Sequence, residues 1–177
     1  DTYSTGTAIM GRLNYTLMNR YFLTLSIRRD GYSAFGMENP YATFPSGALA
    51  WNLSDESFFN IKWINNLKVR ASYGINGNRD IGIYDALAKL ETNKYLTGST
   101  LISGIYSSSL ANQYLKWEKT KALNLGLDFS ILNSRLNGSV DYYSMITNDL
   151  LLKRSLPTII GYDNVMSNMG ELQNKGF

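Results

Sequence analysis

Three stretches of the chain alternate between apolar and polar residues, and this two-residue period commits it to a largely β structure. From Leu67 to Ile75 the odd positions are Leu67, Val69, Ala71, Tyr73 and Ile75, and the even ones are Lys68, Arg70, Ser72 and Gly74. From Leu123 to Ile131 the odd face is Leu123, Leu125, Leu127, Phe129 and Ile131, opposed by Asn124, Gly126, Asp128 and Ser130. From Tyr21 the odd residues Tyr21, Leu23, Leu25 and Ile27 oppose Phe22, Thr24, Ser26 and Arg28. Successive side chains point to opposite sides of a strand, so each stretch has one greasy and one polar face. Less regular versions of the pattern run over Ile9–Leu17, Phe44–Leu53 and Leu136–Tyr143, and a weak seventh covers about residues 167–177. Gly47, Gly126 and Gly138 inside these runs mark close approaches or curvature.

The connections alternate in length. Residues 18–20 and 132–135 are tight turns, whereas 29–43, 77–120 and 145–166 are long. The segment 54–66 is intermediate, and Ser54 is placed to cap a helical turn containing Asp55 and Glu56. Short turns on one side and long loops on the other are the habit of outer-membrane barrels. On that reading residues 1–177 form one partial β-barrel domain of about six or seven strands. The segments near 18–20, 54–66 and 132–135 would be periplasmic turns, and those near 29–43, 77–120 and 145–166 extracellular loops. Tyr15, Tyr21, Trp51, Tyr73 and Tyr142 would suit an aromatic girdle at a lipid boundary, or the core of a soluble sandwich. Arg12, Arg28, Arg70, Asp128 and Asp141 fall on the polar face, which lines a lumen in a barrel and meets bulk water in a sandwich.

Composition removes several alternatives. Charged residues are 18% of the chain, below the common share of about a quarter. The 17 basic and 14 acidic residues give a net charge of +3 without any basic run, which argues against nucleic acid as a partner. Cysteine and histidine are absent, so disulfides, histidine bases and zinc sites built on Cys or His are excluded. Asp1 to Gly6 show neither the basic nor the apolar region of a signal peptide. No window is apolar enough for a transmembrane helix, which leaves strands as the only candidates for spanning a bilayer.

An ordered series of short motifs resembles the C-terminal part of the SusC/RagA-like TonB-dependent outer-membrane transporters of Bacteroidota. It runs from Gly11-Arg12-Leu13-Asn14-Tyr15 and Asn19-Arg20-Tyr21-Phe22 through Arg28-Arg29-Asp30-Gly31 to Phe44-Pro45-Ser46. It continues with Leu67-Lys68-Val69-Arg70-Ala71-Ser72-Tyr73-Gly74, Leu115-Lys116-Trp117-Glu118 and Gly138-Ser139-Val140-Asp141-Tyr142-Tyr143, and ends at Asn174-Lys175-Gly176-Phe177. The resemblance implies an all-β fold, a transmembrane antiparallel barrel of about 22 strands around a plug that this chain lacks. It implies import of glycans, oligopeptides or similar nutrients across the outer membrane. The expected partners are a SusD-like surface lipoprotein, outer-membrane lipid, the substrate itself, and the TonB complex acting through the missing N-terminal region. A soluble β-sandwich for surface binding or adhesion is the alternative, and a β-rich hydrolase a more distant one.

No catalytic constellation stands out. The carboxylates are dispersed, Ser46 and Ser107-Ser108-Ser109 have no histidine to activate them, and no metal or cofactor is expected. Glu118 and Lys119 read as a local ion pair. Contact with a substrate or partner is expected instead on the loop 79–113, through Arg79, Tyr84, Asn93, Tyr95, Tyr106 and Asn112. Aromatic platforms beside amides suit a sugar or a peptide. The same residues could equally serve to pack the loop.

Overall fold

The computed structural model describes residues 3–35 and 37–177. The strands in chain order are β1 (Gly6–Leu17), β2 (Tyr21–Tyr32), β3 (Tyr41–Asn52), β4 (Ile64–Asn78), β5 (Leu90–Thr97) and β6 (Thr100–Ser107). They continue with β7 (Ser109–Leu110), β8 (Glu118–Ile131), β9 (Leu136–Asn148), β10 (Leu151–Ser155), β11 (Asn164–Asn168) and β12 (Glu171–Gly176). Seven of them form one antiparallel sheet in the order β1-β2-β3-β4-β8-β9-β12.

The alternation seen in sequence sets the register. Tyr15 faces Leu23, Leu23 faces Leu49, Leu49 faces Ala71, Ala71 faces Leu125 and Leu125 faces Tyr142. An apolar row thus crosses six strands on one face. A slip by one residue would turn each side chain to the other side of the sheet, so the pattern itself pins the pairing. The opposite face carries Arg70 over Gly126. Its guanidinium donates to both Asp128 oxygens at 2.8 Å and to Asp141 Oδ1 at 3.0 Å.

Two turns close hairpins through left-handed residues. Met18 and Asn19 have φ of 51° and 55°, and Leu132, Asn133 and Ser134 have φ of 55°, 56° and 63°. Asparagine tolerates that region better than most residues, which suits Asn19 and Asn133 to these places. In the 54–66 segment a 3-10 turn spans Leu53–Asp55 with Asn52 at its N-cap. Ser54 therefore lies inside the turn rather than capping it, and donates to Asn66 Oδ1 at 3.4 Å.

The buried core is small and sits at the long-loop end. It comprises Ala34, Phe35, Ala42, Phe44, Ile81, Ala86, Leu115 and Trp117 among the described residues. The Phe35 ring stacks on Trp117 at 4.9 Å, and Phe44 meets Trp117 edge-on at 5.6 Å. Ala42 and Phe44 are even-numbered, so loop residues cover the polar face at the start of β3 and make it locally apolar. The two longest loops are also tied together. β11 pairs with β7 in parallel and with β10 in antiparallel fashion, making a separate three-stranded sheet. The β5–β6 hairpin forms a two-stranded sheet of its own.

This architecture corrects the expectation of a transmembrane β-barrel. A barrel closes only when its first and last strands hydrogen-bond to each other. Here β1 pairs with β2 alone and β12 with β9 alone, so the sheet is open at both edges. The described residues thus form an open seven-stranded sheet and not the closed transmembrane barrel that the expectation named. The multi-pass outer-membrane location drawn from that barrel is withdrawn with it. No helix among the described residues is long and apolar enough to cross a membrane. A sandwich fares no better. Its inner face must be covered by a second sheet, yet Leu13, Tyr15, Leu25, Tyr73 and Val140 are exposed and Leu49 is 60% accessible.

Candidate functional site

Three groupings emerge at the long-loop end. The first is a polar cleft where β1, β2 and the end of β4 meet. Asp30 is buried near the end of β2 and accepts a hydrogen bond from Arg28 Nε at 2.7 Å. Residues 28 and 30 share a face because side chains two apart on a strand point the same way. Arg79 follows directly on β4, and its guanidinium lies 4.8 Å over the Tyr32 ring. A Cβ at Gly6 would come within 2.8 Å of Arg79 Nη1, so the absence of a side chain there makes room for the guanidinium. The cleft measures about 450 Å3 and is lined by Ser4, Gly6, Thr7, Arg28, Asp30 and Arg79. A smaller chamber of about 210 Å3 shares the two arginines and Asp30 and adds Asn76, Phe44 and Trp117.

The second grouping is one face of the β5–β6 hairpin. The pairs Glu91–Tyr106, Asn93–Gly104 and Tyr95–Ile102 place Asn93, Tyr95 and Tyr106 on the same side. The Tyr95 ring lies over Gly104, where a Cβ would approach it to 2.8 Å. Tyr106 Oη donates at the limit of hydrogen bonding to Glu91 at 3.4 Å or Asp163 at 3.5 Å. Partial desolvation, with the charges of Asp163 and Glu91 beside it, pushes the Tyr106 phenol above its ordinary value. The hairpin turns at Gly98 with a φ of 66°, the positive value that a two-residue turn of the II′ type needs at its first central position.

The third grouping is structural. Asn112 Nδ2 donates to the Met166 carbonyl at 2.9 Å, and its Oδ1 accepts from Tyr114 N at 3.1 Å. It fastens one long loop to the other. Tyr84 stands apart, lining an apolar hollow of about 280 Å3 with Phe35, Met37 and Leu87. Of the six residues singled out by sequence, three share the hairpin face, Arg79 lies in the polar cleft, and Tyr84 and Asn112 join neither group.

Asp30, Tyr32 and Gly6 were not contact candidates, and Arg28 was read only as a charge on the polar face. The signal available for them was Arg28 and Asp30 two apart on a strand within Arg28-Arg29-Asp30-Gly31. Glu118 does not form the local ion pair with Lys119. It accepts instead from Asn78 Nδ2 and from Leu151 N, both at 3.2 Å, and so bridges the bases of two long loops. Among the described residues no cluster of carboxylates is placed to hold a metal ion. An apolar hollow of about 410 Å3 on the odd face, between Tyr15, Leu23, Leu49, Trp51 and Val69, has almost no polar lining with which to orient a ligand.

The family model described as "TonB dependent receptor-like, beta-barrel" matches residues 1–177. The TonB-dependent receptor P3 of Formosa agariphila is 43% identical over 171 residues, which is 96% of this chain and 17% of that protein. The TonB-dependent receptor SusC of Bacteroides thetaiotaomicron is 39% identical over 182 residues, covering 99% of this chain and 18% of that protein. A solved structure of the RagAB peptide transporter superposes with a TM-score of 0.85 at 31% identity, over 98% of this chain and 19% of that one. The chain spans less than a fifth of the length of these relatives. The SusC/RagA side of the resemblance is thereby supported, and the relatives are receptors and transporters, not catalysts. The chain belongs to the TonB-dependent receptor-like family.

Proposed function

We propose that this chain works as one segment of a TonB-dependent nutrient importer and supplies the surface that meets cargo or a cargo-capturing partner. The observation that carries the reading is the 43% identity to a TonB-dependent receptor over 96% of the chain. The superposition on the RagAB peptide transporter over 98% of the chain supports the same reading. The cargo is a glycan, an oligopeptide or a similar nutrient too large for simple diffusion. The partners are a SusD-like lipoprotein at the loops and the TonB complex, engaged through other parts of the full-length protein.

Within the segment, the hairpin face with Asn93, Tyr95 and Tyr106 is the contact surface, with Arg79 and Tyr84 earlier in the same long loop. Tyrosines give large contact area at modest rotamer cost, and a loop mounted on a rigid sheet holds them in place. Asn112 contributes by fixing the loops to each other.

The test is confined to the hairpin, because Ile81 and Ala86 of the same loop are buried in the core and must stay. In the full-length protein, residues 92–105 are replaced by a short Gly-Ser link and uptake of the cell's cognate nutrient is followed. The expected outcome is a protein of normal abundance with uptake reduced about tenfold or more, as loss of a binding hot spot would give. Normal uptake by the trimmed protein would remove the hairpin from the reading.

A further inference from the structure

We propose that the cleft between Arg28 and Arg79 is a carboxylate-binding site, taking an acidic group of the cargo; the assignment of that group to cargo rests on the importer reading above. Two cations face one anion in this cleft. Asp30 is buried and occupies the Nε of Arg28, and the two terminal nitrogens of Arg28 have no partner among the described residues. Arg79 forms no ion pair with any carboxylate among the described residues. It nevertheless has fixed neighbours, with its guanidinium carbon 4.8 Å over the Tyr32 ring and one terminal nitrogen beside Gly6.

Stacking orders the guanidinium without using its in-plane donors. An arginine set over a ring, with N–H groups unspent on any of the described residues, is prepared for a planar oxyanion, because its fork of donors matches a carboxylate two bonds at a time. Arg20 and Arg70 show the contrast. Each is spent on carboxylates of its own chain, Arg20 on Glu56 and Arg70 on Asp128 and Asp141. The rest of the lining extends the same chemistry. Ser4 and Thr7 offer hydroxyls at one end, Asn76 an amide at the other, and the Trp117 and Phe44 rings form an apolar floor beside it. That combination accommodates a chain molecule whose acidic group is held by the arginines while its uncharged body rests on the aromatics.

A carboxylate can be presented by an acidic peptide or by a sugar acid, and the experiment separates them. The purified full-length protein is titrated calorimetrically with tetraglutamate and with trigalacturonate, using tetraglutamine as the uncharged control. At least one acidic probe should bind while tetraglutamine does not, and binding should weaken as salt is raised, because the attraction is between charges open to solvent. Binding of tetraglutamate alone assigns the group to a peptide, and binding of trigalacturonate alone assigns it to a sugar acid. Arg79→Met should weaken the bound probe about tenfold or more, with Arg79→Lys intermediate because an ammonium keeps the charge and loses the fork. The proposal is overturned if neither acidic probe binds, or if Arg79→Met binds as the unaltered protein does. Either of those results alongside normal nutrient uptake would leave the importer reading standing, so the two failures are told apart.

Discussion

At the scale of single residues, two glycines of the large sheet answer to very different neighbours. A Cβ at Gly77 would fall 2.0 Å from Cζ of Phe44, a ring packed edge-on against Trp117. A Cβ at Gly126 would fall 2.6 Å from Asp141 Oδ1 and 2.8 Å from Arg70 Cζ, which are the ends of flexible, half-exposed side chains. Gly77→Ala should therefore destabilise by about 1–3 kcal/mol, since a packed ring has nowhere to go. Gly126→Ala should cost no more than about 1 kcal/mol, the ordinary worth of an exposed ion pair that has to rearrange. Denaturant midpoints of the two variants test the contrast, and equal shifts would contradict it. Both glycines stand in the sequence, but only Gly126 sits in a cleanly alternating strand where its bare position invited attention. What lies over Gly77 depends on Phe44 and Trp117 arriving from distant parts of the chain, which no local pattern records.

At the scale of elements, legibility followed the two-faced environment of each strand. β4 and β8 have one face against polar neighbours and one apolar face, and the alternation of Leu67–Ile75 and Leu123–Ile131 shows it. β5 and β6 lie within the long loop, which showed no strand pattern. The register explains why. Leu90, Leu96, Leu101 and Ile105 share one face of the hairpin, while Tyr95, Ile102 and Tyr106 share the other. Neither face meets the core, so neither has been kept polar or apolar, and the period is blurred. β7, β10 and β11 are too short for any period to register. The connection between β3 and β4 was legible as a helical turn, but its purpose was not. Glu56 reaches back to accept from Tyr21 Oη at 2.6 Å, Trp51 Nε1 at 3.0 Å and Arg20 Nη1 at 3.2 Å. The Tyr21 and Trp51 hydrogen bonds, with the Arg20 charge adding to them, hold the Glu56 carboxyl below the usual glutamate range. A depressed carboxylate contributes stability that is complete above its unfolded-state value and is lost as pH falls through the folded one. Protection of the amides in residues 53–63 against hydrogen exchange, taken relative to the intrinsic rate at each pH, should thus fall as the solution is acidified below the usual glutamate range. Glu56→Gln should exchange faster at neutral pH and lose this acid dependence. An unchanged acid response in the variant would assign the clamp to another group.

At the scale of the whole molecule, the packing energy is gathered at one end. The large sheet has an uncovered apolar face, while the buried residues draw on β3 and on the loops that follow β2 and β4. Leu115 is fully buried there, two residues before Trp117 in sequence. Leu115→Ala should cost about 2–5 kcal/mol, the range for truncating a leucine in a site that cannot collapse around the gap. The loss should be read most clearly at the loops: limited proteolysis within 79–113 and 156–163 should speed up well before the β1–β2 hairpin is cut. Uniform sensitisation along the chain would show that the core supports the sheet as a whole and not the loop end.

The junction between β4 and β8 has a consequence for how the molecule assembles. On either side of it the wiring is local: β1 to β4 follow one another as neighbours, and β8 leads straight into β9. The junction instead joins Ile64 to Ile131 and Asn78 to Glu118 across everything that lies between them in the chain. Closing so wide a loop costs entropy before any contact repays it, and pairings of this kind set the pace of folding. The molecule is thus kinetically two pieces, each able to zip from its own turns. Their meeting along a single seam is expected to come late, and it would bring Trp117 to Phe44 and give the long loops a floor to fold upon.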